Sequence, residues 1–224
     1  MKLIKVIDFG KRDYDEMLRI QRFIFNKMTH RVKNKELKYG YLLLTEHYPV
    51  ITLGRFAKRS NLLVSENYLK KNNIKIERIE RGGDITFHGP GQLVVYPLIN
   101  LKEFNLTVKE YVYILEESII RLLSLYGIKG ERKEGAPGVW VSQKEGNPHK
   151  ICALGVKCSK FCTMHGLALN INTDIDYFRL INPCGFTDYG VTSMLLEKGG
   201  KEEIKMDQVK RLFSDIFLRL IFSL

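Results

Sequence analysis

The spacing of apolar residues changes along this chain, and each change marks an element. Leu3–Ile7 reads as a strand leading to a helix from Tyr14, where Asp13 and Glu16 resemble a capping box. Met17, Ile20, Ile24, Phe25 and Met28 then recur at helical spacing. Tyr41–Glu46 and Val50–Gly54 read as strands joined around Tyr48-Pro49, and Ser65 caps a short helix over Glu66–Lys71. Ile74–Glu80 and Leu93–Ile99 alternate as strands on either side of a glycine-rich stretch. Thr107 and Glu110 form a second capping box, opening a helix whose apolar face runs Val108, Val112, Leu115, Ile119, Leu122 and Tyr126 before Gly127. Val139–Ser142, Ile151–Lys157 and Leu167–Ile171 are further strands, and Asp207–Leu220 is a last amphipathic helix suited to covering a core. Strands dominate the middle, with helices at the start, centre and end. This predicts an α+β fold with a mixed sheet, and no composition shift or linker divides residues 1–224, so they are read as a single domain.

The stretch Arg81-Gly82-Gly83-Asp84-Ile85-Thr86-Phe87-His88-Gly89-Pro90-Gly91-Gln92 holds four glycines and a proline. Hairpins need one or two such residues, so this density predicts a loop that brings backbone close to a ligand. It has neither the spacing of a phosphate-binding P-loop nor that of a dinucleotide-binding turn.

Composition changes this picture only in part. With 45% hydrophobic and 27% charged residues the chain has the balance of a soluble globular protein. The first residues lack the apolar run of a signal peptide, and no run approaches membrane-spanning length, so the expected location is cytoplasmic, with no membrane partner. The formal net charge of +11 favours acidic partners, but lysines and arginines are dispersed rather than gathered in a stripe. That dispersal argues against nucleic acid.

Four cysteines, Cys152, Cys158, Cys162 and Cys184, fall in the second half and read as free thiols, metal ligands or a nucleophile. Cys184, in Asn182-Pro183-Cys184-Gly185, sits on a turn and is either an accessible nucleophile or a small buried hydrophobe. A nucleophilic thiol needs a neighbouring cation or base. Lys150, at the head of Ile151–Gly155, is either that group or a solvated strand-end lysine. His88 and His165 each precede a glycine and read first as structural turn histidines, with His88 also placed to line a pocket. Cys158, Cys162 and His165 lack the paired-cysteine spacing of a zinc site, so no metal is expected.

Five ordered blocks between residues 81 and 194 resemble the lipoyl(octanoyl) transferase family. They are 81–93, Ala136-Pro137-Gly138-Val139-Trp140-Val141, Lys150–Lys157, His165-Gly166-Leu167-Ala168-Leu169-Asn170, and Ile181–Gly185 with Val191-Thr192-Ser193-Met194. The resemblance implies the fold of biotin and lipoate ligase catalytic domains: a large mixed sheet, a smaller sheet and flanking helices. It also implies transfer of octanoyl from octanoyl-acyl carrier protein to a lysine of a lipoyl domain. The implied acceptors are the lipoyl domains of 2-oxoacid dehydrogenases and the glycine cleavage H protein.

On that resemblance Cys184 is the acyl-accepting nucleophile and Lys150, rather than Lys157, its partner. Arg81, Gly82, Gly83, Asp84, Ile85, Thr86, Phe87 and His88 form one substrate-binding wall. Ala153, Leu154 and Gly155 with Gly166, Leu167 and Ala168 form the other, with Leu154 and Leu167 lining an apolar slot. The reaction so implied needs neither ATP nor a metal, because the acyl group arrives on a phosphopantetheine thioester. Two other readings compete: an ATP-dependent lipoate ligase on the same fold, which needs no cysteine, and a basic nucleic-acid-binding module.

Overall fold

In the computed structural model, which describes residues 3–34, 39–182 and 190–223, the strands gather into two sheets. The larger has seven strands: β1 (Leu3–Arg12), β2 (Tyr39–His47), β6 (Gln92–Leu98), β10 (Cys162–Asn170), β9 (His149–Ser159), β8 (Gly138–Val141) and β7 (Gly130–Glu131), in that spatial order. β1 and β2 are parallel and the remaining neighbours antiparallel, so the sheet is mixed as expected. The smaller sheet places β3 (Val50–Leu53) between β4 (Lys75–Arg78) and β5 (Ile85–His88).

Alternation along the central strands sends successive side chains to opposite faces of the large sheet. Leu42, Leu44, Leu93, Val95, Leu167 and Leu169 turn one way and pack beneath α3 (Val108–Ser124) and α4 (Met206–Phe222). Leu43, Val94, Tyr96, Met164 and Ala168 turn the other way, towards Met17, Leu18 and Phe25 of α1 (Tyr14–Asn34). A third cluster fills the small sheet, where Phe87 and Ile51 meet Leu69 of α2 (Glu66–Lys71) and Ile181.

Local signals explain several boundaries. The Ser65 hydroxyl accepts from the Tyr68 amide, and Thr107 and Glu110 close a reciprocal capping box at the start of α3. The Asp13 carboxylate takes the Lys75 ammonium at 2.9 Å, tying α1 to the small sheet. The glycine-rich stretch is not a loop throughout: Ile85–His88 is strand β5, and only the turns on either side are irregular. β10 also begins five residues before the expected Leu167, at Cys162.

Candidate active site

The sheets meet at residues 81–84. The Gly82 amide donates to Val156 O of β9 at 3.1 Å, while the amides of Gly54, Arg55 and Phe56 donate to carbonyls of Asp84, Arg81 and Gly83. This turn therefore welds the small sheet to the large one. The buried Arg81 guanidinium donates to Thr52 O and Oγ1, both at 2.9 Å, and to Gly82 O at 3.0 Å. A side chain on Gly54 would meet Gly83 O at 2.5 Å, so the turn can lie against β3 only because that residue is glycine.

A cavity of about 510 Å³ opens between the sheets, within the usual size for small-ligand sites. Arg81, Gly82, Gly83, Asp84, Ile85, Thr86 and His88 border it on one side. Ala153, Leu154, Gly155, Gly166, Leu167 and Ala168 border it on the other, and Lys150 stands at one end. Phe87 is the exception. It points to the opposite face of the small sheet and stacks on Tyr177 at 4.5 Å between ring centroids. Leu154 and Leu167 also pack on the core beneath the sheet, and Ala153 and Ala168 add to the apolar wall of the cavity.

Tyr14, Gln92, Val94, Tyr96 and Asn170 border the cavity too. Gln92 and Asn170 lie within the quoted motif blocks, but only strand register shows that they share a face with Ala168. Tyr14 and Tyr96 carried no sequence signal beyond being aromatic in predicted elements.

The floor changes character along its length. At the Lys150 end, Asn170 Nδ2 donates to Thr192 O at 3.0 Å, and Gln92 Nε2 donates to Asn170 Oδ1 at 2.8 Å and to Phe87 O at 3.2 Å. Gln92 Oε1 is thereby left to accept, at 2.7 Å, from His88, whose proton must sit on Nδ1. Burial pulls the His88 pKa down to about 3, so this imidazole is neutral and serves as an oriented wall rather than a base at neutral pH. Its ring stacks on Tyr14.

The far end is built differently. His165 adopts φ +61° within β10, a left-handed conformation uncommon outside glycine, and its amide donates to Gln21 Oε1 of α1. Its buried ring nitrogens have no hydrogen-bond partner among the described residues, and burial lowers its pKa to about 3. Glu80 closes the outside of this end, pairing with Arg22 of α1 at 2.9 Å and Lys157 of β9 at 3.4 Å. The Arg22 hydrogen bond holds the Glu80 carboxyl down at about 2.

Lys150 is half-buried near the start of β9. Its amine lies 4.5 Å from the Trp140 ring centroid and 3.4 Å from Pro137 O. The Lys150 amide donates to Gly190 O at 2.9 Å and its carbonyl accepts from Thr192 N–H at 3.0 Å. Residues 190–192 are thus stitched alongside Lys150. On the other side, the Asn182 amide donates to Asn61 O at 2.7 Å, and Asn61 Nδ2 donates to Asp84 Oδ2 at 2.6 Å. Cys184 itself lies outside the described residues, and the described chain on either side, at Asn182 and at Gly190–Thr192, is anchored beside this cavity.

The remaining thiols are poor nucleophiles. Cys152 and Cys162 are buried and Cys158 is half-buried, and burial raises all three pKa values, that of Cys162 to about 11. Among the described residues no cluster of three histidine, cysteine or carboxylate side chains could hold a metal ion.

A two-sheet α+β body thus holds a mostly apolar cavity with Lys150 in its lining. Residues 13–218 match the lipoyl protein ligase A/B catalytic domain, and the chain belongs to that family. It is 46% identical over 220 residues to an octanoyltransferase of Parabacteroides distasonis, covering 97% of this chain and all of the relative. A Bacteroides thetaiotaomicron octanoyltransferase is 46% identical over 206 residues, covering 92% and 90%. A solved structure of the bipartite lipoate protein ligase of Thermoplasma acidophilum shares the fold, with TM-score 0.67 at 14% identity, covering 99% of this chain and 83% of that one.

Proposed function

We propose that the protein is an octanoyltransferase, moving octanoyl from acyl carrier protein to a lysine of a lipoyl domain by way of an acyl-Cys184 thioester. The observation that carries the reading is the 46% identity, along almost the entire chain, to a relative bearing that name. The cavity supports it physically: small apolar residues at Ala153, Gly155, Gly166 and Ala168 suit an alkyl chain, and the polar end at Lys150 suits the reacting carbonyl.

In the first step the Cys184 thiol loses its proton to Lys150 and attacks the thioester carbonyl. The tetrahedral intermediate collapses, the carrier's sulfur leaves and takes that proton back from Lys150, and octanoyl remains on Cys184. In the second step a neutral lysine amine attacks that carbonyl, its proton passes to Lys150, and the Cys184 sulfur is expelled and recovers that proton. An amide replaces a thioester, so the acyl group arrives already activated and neither ATP nor a metal enters the balance. Among the described residues no helix is long and apolar enough to cross a membrane. We place the reaction in the cytoplasm, with acyl carrier protein and lipoyl domains as the partners.

Intact mass of the pure protein after incubation with octanoyl-acyl carrier protein, without ATP and beside Cys184→Ser, tests this reading. An octanoyl adduct on Cys184, absent from the variant and discharged by a lipoyl domain, is expected. No adduct, together with ATP-dependent attachment of free octanoate, would replace it with the ligase reading.

A further inference from the structure

Glu116 lies on the inner face of α3 with its residue 8% exposed, in the run Leu115-Glu116 where helical spacing calls for a hydrophobe. A buried carboxylate needs partners. One oxygen stands 3.3 Å from Arg132 Nε, and the other accepts the Gly138 N–H at 3.0 Å. Arg132 is itself held, by Glu117 at 2.7 Å and over the Tyr113 ring at 3.8 Å.

Gly138 N–H and Pro137 C=O belong to one peptide unit, and no peptide bond among the described residues is cis. In a planar trans peptide those two groups point in opposite directions. Fixing the N–H on Glu116 therefore aims the carbonyl away from α3, and it is this carbonyl that lies 3.4 Å from the Lys150 amine. The same turn is pinned at its other side, where the Trp140 indole N–H donates to Ala136 O at 3.0 Å and sets the ring beside Lys150. A Cβ at Gly138 would meet Cys152 O at 2.5 Å, so the turn passes close against β9.

We propose that Glu116 is a positioning residue for Lys150, acting through the Pro137–Gly138 peptide to hold the acceptor that orients the lysine amine. The inference rests on the acyl-transfer role given to Lys150 above. It assigns to α3, which carries no reacting group, a part in aligning the reaction.

The test is steady-state kinetics on octanoyl-acyl carrier protein with a lipoyl-domain acceptor for Glu116→Ala, Glu116→Gln and Glu116→Asp, with thermal unfolding of each and Lys150→Ala as reference. Glu116→Ala should lower kcat about tenfold or more with KM little changed, since small misplacements of a reacting group cost that much. Gln keeps an acceptor at full reach and should return kcat to within about threefold, whereas Asp, one methylene shorter, should not. Restoration by Asp and not by Gln would show that charge, not reach, matters, and would overturn the proposal. So would a folded Glu116→Ala enzyme with wild-type kcat. If Glu116→Ala fails to fold, the Gln and Asp pair decides between the same outcomes. A Lys150→Ala enzyme with wild-type kcat would remove the catalytic role of Lys150, and with it this inference. An inactive Lys150→Ala enzyme beside a flat Glu116 series would overturn the positioning role alone.

Discussion

The two ends of the cavity are held in different ways. Around Lys150 the walls are fixed by directed bonds: His88 to Gln92, Gln92 to Asn170, Asn170 to Thr192, and Thr192 to the Lys150 carbonyl. At the other end Gly155 faces Gly166 across β9 and β10, ion pairs of Glu80 close the outside, and the His165 ring nitrogens have no partner among the described residues. One end specifies chemistry and the other specifies shape. Substitutions that change polarity should hurt the first, and substitutions that add volume should hurt the second.

The largest effect is expected from Lys150→Ala. Loss of a proton-transfer group should cost about 10²–10⁴ in kcat/KM, with little change in thermal midpoint, because the half-buried side chain contributes little core. Lys150→Arg should not recover the rate, since a guanidinium cannot give up its proton near neutral pH. A Lys150→Ala rate within tenfold of wild type would erase the chemical distinction between the two ends.

Next come the glycines. A Cβ on Gly166 would sit 2.1 Å from Val95 O and 2.8 Å from Pro97 Cδ, and neither neighbour can retreat without moving β6. Gly166→Ala should therefore destabilise the fold by about 1–3 kcal/mol, read as a lower denaturant midpoint. At Gly155 the new methyl would meet Arg81 Cδ at 2.9 Å and Gly82 O at 3.0 Å, on the cavity side. Gly155→Ala should raise KM for octanoyl more than for a shorter acyl group, at about 1–3 kcal/mol for a misfitted methylene. Equal loss on both chain lengths would contradict a shape-defining far end.

Motif and period made much of this architecture legible beforehand. Both capping signals at Ser65 and Thr107 act as read, and residues 81–84 do bring backbone against the cavity. What local sequence could not carry was which way a side chain points. Phe87 stands inside the glycine-rich motif, yet period-2 alternation turns it away between its neighbours Thr86 and His88. Gln92, Asn170 and Glu116 act through partners 78, 22 and 22 residues distant in sequence, and only register and packing bring such partners together. The left-handed His165 in mid-strand had no local signal at all, since a histidine beside a glycine is ordinary in a turn.

The last expected effect is a pH slope that separates the two ends on the acid side. Burial lowers the pKa of His47 to about 4 and of His88 and His165 to about 3, against 6.5 for the unfolded residue. Above pH 6.5 both states are neutral at these positions and stability is undiminished. As pH falls through 6.5 the unfolded chain takes up protons that the native state refuses, and stability drops until the native histidines titrate near 4 and 3. Each group contributes a slope of about 1.4 kcal/mol per pH unit in that window. The Glu80 carboxyl, held near 2 against an ordinary 4.5, costs stability only at lower pH, so the range from 6.5 to 5 belongs to the histidines. His165→Asn should remove one histidine's share of the slope with a smaller loss at pH 7.5 than at His88, because asparagine accepts a left-handed backbone and the ring has no hydrogen-bond partner among the described residues. His88→Asn should remove the same share but also destabilise at pH 7.5, by about 1–3 kcal/mol, because Gln92 loses its partner. Urea unfolding of both variants at pH 7.5, 6 and 5 reads the difference, and equal neutral-pH losses would mean that the bonded His88 ring and the unbonded His165 ring are held in the same way after all.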